Sequence, residues 1–281
     1  MEKWPVGVFT SIDAGLGVDL GVAKELGIPT IQIHAPHAEN RNPAKAQEIR
    51  QRLEDYGIQA TAVFGGFEGE SYADIPTVER TVGLVPTETR KARLQEMKEI
   101  ADFAGWLGCP VIALHLGFVP HDRNGEPYAQ IVAVTQELCH YADQLGQSLH
   151  LETGQETAAG LLDFLNDTGC ANLAVNFDPA NMILYGTGEP IEALKLLGNR
   201  VKSVHLKDGK WGANPGKEWG TEVPLGEGDV NIELYLTTLR DLDYFGPLTI
   251  EREIPQEPER QKTEIGQAVQ LINQLKAKLL T

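Results

Sequence analysis

The chain has 281 residues, 42% of them hydrophobic and 23% charged, which supplies apolar material for a core and excludes a disordered or collagen-like chain. Its 24 lysines and arginines stand against 40 aspartates and glutamates, and the net charge of −16 opposes phosphate backbones, so no nucleic-acid partner is expected. No run approaches the roughly 18 consecutive apolar residues of a membrane helix, so no membrane partner is expected either.

Met1-Glu2-Lys3-Trp4-Pro5 leads directly into a strand-like stretch at residues 6–9 and leaves no room for a signal peptide. A second apolar run follows at 30–33. Asn42 then reads as an N-cap, Pro43 as the first helical residue, Ala46, Ile49, Leu53 and Tyr56 as one helix face, and Gly57 as the C-terminal cap. A third strand at 60–64 opens a long connection, 65–86, with room for a short helix of its own. Leu94, Met97, Ala101, Ala104 and Leu107 form the next helical stripe, closed by Gly108. Apolar runs at 111–114, 149–151, 173–177, 201–204 and 248–250 complete a set of eight strands. The connection at 209–228 is the second long one, expected to act as a mobile cover. Ile265, Ala268, Ile272, Leu275 and Leu279 mark the last helix. Eight strand–helix alternations predict an α/β chain folded as a single-domain (β/α)8 barrel over 1–281. Cys109, Cys139 and Cys170, odd in number and set in apolar or mixed runs, read as free thiols of a reducing compartment, and a cytoplasmic location is expected.

The informative residues end the strands. His34 closes the second, His115 the fourth, Glu152 the fifth, Asp178 the sixth, His205 the seventh and Glu251 the eighth. In a parallel barrel these positions converge on one mouth. Three carboxylates gathered there repel one another, which a cation resolves, and two Glu, one Asp and one His suit Mn²⁺, Mg²⁺, Co²⁺ or Zn²⁺.

Glu152 in Leu-Glu-Thr-Gly-Gln, Asp178 in Asn-Phe-Asp-Pro-Ala-Asn, His205 in Val-His-Leu-Lys-Asp, the Gly226-Glu227-Gly228 turn and Glu251 in Ile-Glu-Arg-Glu occur in a characteristic order. In them the chain resembles the xylose-isomerase-like barrel superfamily, in particular its sugar (phosphate) isomerase and epimerase branch of ketose 3-epimerases and hydroxypyruvate isomerases. The resemblance implies one divalent ion, Mn²⁺ preferred, bound by Glu152, Asp178, His205 and Glu251. It also implies that Glu152 and Glu251 act as the acid–base pair, through a metal-stabilised enediolate. The partner is then a small sugar or sugar phosphate, with homo-oligomerisation left open. A metal-dependent dehydratase on the same barrel, of the inosose or dehydroshikimate type, is the alternative. An apurinic-endonuclease-like enzyme and a non-catalytic sugar binder rank below it.

Three departures bear on the substrate: Asn181 stands where sugar epimerases commonly carry His, Lys207, Asp208 and Lys210 where an Arg is frequent, and Gln155 where Asn is frequent. The expected substrate-binding set is His115, Asn181, Lys207, Glu227, Trp211 and His34, with Trp211 and Trp219 shielding the site from the loop after the seventh strand.

Overall fold

The near-continuous apolar runs become strands buried on both faces, which is what a closed parallel sheet wrapped in helices requires. A computed structural model describes residues 3–280; Met1 and Glu2, where the expected leaderless start begins, lie outside the described residues. In chain order the elements are β1 (Val6–Ser11), α1 (Leu20–Glu25), β2 (Thr30–His34), α2 (Pro43–Tyr56), β3 (Gln59–Gly65), α3 (Ile75–Thr81), α4 (Thr87–Leu107), β4 (Val111–Leu114) and α5 (Glu126–Gln144). They continue with β5 (Ser148–Glu152), α6 (Ala158–Thr168), β6 (Leu173–Phe177), α7 (Pro179–Tyr185), α8 (Pro190–Leu197), β7 (Val201–Leu206), β8 (Asp208–Lys210), β9 (Thr221–Val223), α9 (Ile232–Asp241), β10 (Leu248–Ile250) and α10 (Pro258–Leu279).

Eight strands close into one parallel barrel in the order β1-β10-β7-β6-β5-β4-β3-β2, and β1 seals the ring by pairing with both β10 and β2. This is the expected single-domain barrel with its helices outside. The helix signals work as read: Asn42 accepts the Lys45 amide at 2.9 Å, and Gly57 adopts φ +67°, a left-handed conformation that costs glycine little. One large apolar core joins the barrel wall to the helices. No helix among the described residues is long and apolar enough to cross a membrane.

Both long connections carry structure. The first holds α3, as its length allowed. The second folds as an antiparallel ribbon of β8 and β9, with Asp208 opposite Val223 and Lys210 opposite Thr221. The buried Asp208 carboxylate pins the base of the ribbon. It accepts the amides of Gly209 (2.9 Å) and Val230 (3.2 Å) at Oδ1, and those of Gly226 (2.9 Å) and Gly228 (3.0 Å) at Oδ2. A β-carbon at Gly228 would lie 2.1 Å from Asp208 Oδ1, so only glycine fits against that carboxylate. Cys109 and Cys139 are buried free thiols, while Cys170 is half-buried and also free.

Candidate metal centre

Asp178 follows β6 and caps α7. Proline at the first helical position has no amide to leave unpaired, and Asp178 Oδ1 accepts the Asn181 amide at 2.9 Å. The Thr153 hydroxyl holds the Asp178 backbone, accepting its N–H and donating to its C=O, both at 2.8 Å. Oδ2 remains buried without a hydrogen-bond partner.

That oxygen faces His205, which comes from near the end of β7. His205 Nδ1 lies 2.8 Å from Glu152 Oε1, 2.9 Å from Glu251 Oε2 and 3.4 Å from Asp178 Oδ2. Glu152 ends β5 and Glu251 follows β10 directly. One ligand atom from each of the four side chains falls within 4.8 Å of the others. The Nε2–H of His205 donates to Gln32 Oε1 at 2.6 Å, and Gln32 in turn donates to Asn176 Oδ1 at 3.3 Å. A ring nitrogen committed as donor on one side leaves a lone pair on the other. In the neutral ring that lone pair meets three carboxylates, a repulsive arrangement that either a proton on Nδ1 or a cation between them resolves. His205 Nδ1, Asp178 Oδ2 and Glu251 Oε2 are all buried and without hydrogen-bond partners. One imidazole nitrogen and three carboxylate oxygens aimed at one point fit a divalent ion.

The electrostatics are polarised. Burial works to raise the Glu152 carboxyl, but His115 and His205 reverse it and hold the group at about 2. Burial also opposes ionisation of Glu251, where Lys207 and His205 keep the carboxyl well below the usual range. At Asp178 burial wins and lifts the group to about 6. Burial would strip His205 and Lys207 of charge, yet the surrounding acids keep both well above their ordinary values.

Around these four residues the barrel mouth opens into a cavity of about 1250 Å³. His115, Asn181, Lys207 and His34 all line it. His115 Nε2 lies 3.0 Å from Glu152 Oε2, Asn181 Nδ2 donates to Glu152 Oε1 at 3.2 Å, and Lys207 Nζ lies 3.4 Å from Glu251 Oε2. The other two do not reach it. Glu227 is exposed on the far side of its turn, because the Gly226 and Gly228 amides point inward to Asp208. Trp211 packs against the core from the ribbon, its amide bonded to Asp229 Oδ2 at 3.1 Å. Trp219, at the other end of the ribbon connection, lines the cavity instead and meets Tyr185 edge-on at 4.5 Å between ring centroids.

Several participants lie outside the sequence reading. Gln32 orients His205, and its signal is a lone amide between Ile31 and Ile33 in a buried strand. Tyr185 accepts from Gln155 Nε2 at 3.2 Å, and the same amide group lies 3.2 Å from His115 Nδ1. Gln155 thus ties His115 to the cavity wall.

A family model described as "Xylose isomerase-like TIM barrel" matches residues 20–275. A solved xylose isomerase domain protein from Planctomyces limnophilus is 56% identical, with a TM-score of 0.97 over 99% of both chains. An L-ribulose 3-epimerase from Methylomonas sp. (strain DH-1) is 27% identical over 150 residues, 51% of this chain and 48% of that protein. The structure of a D-allulose 3-epimerase from Methylomonas sp. in complex with D-allulose shares the fold at a TM-score of 0.70, with 17% identity over 98% of each chain.

Proposed function

The chain belongs to the xylose isomerase-like TIM barrel family, and on that premise we propose that it is a divalent-metal-dependent sugar isomerase or epimerase. Glu152, Asp178, His205 and Glu251 hold the ion, and a sugar or sugar phosphate is the substrate. The observation that carries this reading is the pair of carboxylates from strands far apart on the ring, Glu152 and Glu251, each within 3 Å of the same His205 nitrogen. When bound, the ion supplies the Lewis acidity that makes the C–H beside a sugar carbonyl removable.

Glu152 and Glu251 are the groups placed to move that proton, and their depressed pKa values keep both ionised as bases. Each has a cationic or polar neighbour on its outer side. His115 stands behind Glu152 and is raised to about 9 because Glu152 outweighs the effect of burial, so its imidazolium keeps that carboxylate ionised. Lys207 stands behind Glu251 in the same way. Asn181 fixes the rotamer of Glu152, and Asp178, tied up in its helix cap, serves as a ligand only.

The test is incubation of the Mn²⁺-loaded protein with ketoses, aldoses and their phosphates in heavy water. The expected result is deuterium at a carbon adjacent to the carbonyl of one class, with epimer or isomer formed. Loss of water with appearance of a conjugated carbonyl absorbance would assign the site to dehydration. Absence of exchange with every sugar would remove the isomerase reading.

A further inference from the structure

The cavity at the barrel mouth extends well beyond the ion site. Its ligands come from β5, β6, β7 and β10, whereas Gly15, Leu16, His34, His37, Arg41 and Glu68 line an arm built from the loops after β1, β2 and β3. In the ring order those three strands occupy one side and the ligand strands the other. The full cavity, about 1250 Å³, exceeds the roughly 300–1,000 Å³ that houses drug-sized ligands, which are themselves larger than one hexose.

The charges in this space are unbalanced. Eight glutamates line it against three cations, Arg41, Lys207 and Arg252, and every cation is already engaged. Arg41 pairs with Glu96 at 2.5 Å and donates to the Pro36 carbonyl, and its remaining Nη1 is sealed from solvent. Arg252 is held between Glu222 at 2.7 Å and Glu264 at 3.2 Å. Lys207 sits 3.4 Å from Glu251 and 3.9 Å from both Glu222 and Glu253. The imidazoles offer little more. Burial lowers the His34 pKa, His37 lies 3.4 Å from Asp13, and His115 faces Glu152.

Barrel enzymes that bind phosphates draw on backbone amides in the loops after their last two strands. Here the amides of Gly209, Gly226, Gly228 and Val230, all in the connection after β7, converge on an internal anion, the Asp208 carboxylate. The nest a phosphate would need is filled from within. By contrast, the arm suits a neutral polyol. Glu68 offers an acceptor carboxylate, and Leu16 and Tyr72, about half exposed at the rim, offer apolar surface to the C–H face of a sugar ring.

We infer that the substrate is an uncharged saccharide of more than one unit: its reacting unit lies at the Glu152–Glu251 pair, and a second neutral glycosyl unit occupies the arm formed by the β1, β2 and β3 loops. This rests on the isomerase reading and narrows it against sugar phosphates and sugar acids.

The experiment is calorimetric binding to the Mn²⁺-loaded protein of unreactive hexitols in their stereoisomeric forms, their phosphate esters and their neutral glycosyl derivatives. The tightest ligand is expected to be a glycosyl hexitol, binding at least tenfold better than the best bare hexitol, with each phosphate ester at least tenfold weaker than its parent. A phosphate ester that outbinds its parent, a glycosyl unit that adds nothing, or no binding by any member overturns the inference. Deuterium exchange on the matching ketoses separates it from the parent reading. Exchange with phosphorylated ketoses alone overturns the inference and leaves the isomerase standing. Binding in the expected order with no exchange on any ketose overturns the isomerase and leaves the saccharide site.

Discussion

His205 Nε2 and Gln32 Oε1 lie 2.6 Å apart in the barrel interior, and this one hydrogen bond decides which imidazole nitrogen faces the acids. Neighbours that fix a ligating histidine typically matter 10- to 100-fold in metal affinity. Gln32→Leu keeps the side-chain volume and removes the acceptor. It is expected to weaken Mn²⁺ binding by roughly 10- to 100-fold in a calorimetric titration, with an unchanged far-ultraviolet circular dichroism spectrum. Wild-type affinity in that variant would show that the ring needs no such anchor.

The four candidate ligands were legible in the sequence because each lies at a strand end, and a strand end fixes both the height and the direction of a side chain in a parallel barrel. Gln32 was not, although it lies in a stretch read as a strand. An amide between two isoleucines has no distinctive spacing, and its partner is 173 residues away. Glu227 and Trp211 lie away from the cavity for a different reason. They lie on a turn and a ribbon, where local backbone geometry sets which way a side chain points. That geometry depends on the Asp208 carboxylate reaching residues 18–22 positions further on. The short helix in 65–86 was readable from length alone, whereas the β8–β9 ribbon was hidden by its glycine-rich composition.

Stripping the ion with a chelator is expected to lower the melting temperature. Asp178, His205 and Glu251 each leave a buried polar atom unsatisfied, so their compensation comes from the ligand. Ligand present at a thousand times its dissociation constant stabilises by about 4 kcal/mol. For a chain of this size that corresponds to a fall of roughly 7 °C on chelation, read by differential scanning calorimetry and reversed by Mn²⁺. The same melting curve with and without chelator would argue that the acids are compensated from within the chain.

Glu156 gives a pH signature separate from the ion site. Burial lifts its carboxyl to about 7, although the Val119 amide, donating at 2.7 Å, pulls the other way. His121 Nε2 lies 4.0 Å away and is exposed. A carboxyl whose folded pKa exceeds its unfolded value binds its proton more tightly in the folded chain. Its contribution is therefore complete below the unfolded value, near pH 4, and is lost as pH rises through about 7. Glu156→Gln retains the acceptor for Val119 without the charge. It is expected to be more stable than the wild type at pH 8, by roughly 3 kcal/mol, and equal to it at pH 4, measured by urea denaturation. A difference independent of pH would locate its origin in packing.

The division of labour between Glu152 and Glu251 follows from what stands behind each. Glu152 is backed by His115 and Asn181, and Glu251 by Lys207, so the two carboxylates stand in different charge surroundings. Changing either to Gln keeps an oxygen toward the ion and removes the base. Glu152→Gln and Glu251→Gln are each expected to lose turnover by roughly a thousandfold while retaining part of their Mn²⁺. If the two serve opposite faces of one carbon, each variant still exchanges deuterium into one epimer only, and the two variants differ in which, as resolved by NMR in heavy water. Identical exchange patterns would mean that a single carboxylate handles both proton transfers on one face, as aldose–ketose isomerisation requires. In that case His115 or Lys207 becomes the discriminating substitution. His115→Gln would then depress exchange through Glu152 while leaving metal content intact, whereas Lys207→Met would act on the Glu251 side. Full activity in either Glu→Gln variant would exclude that residue from the chemistry and leave it a role as ligand alone.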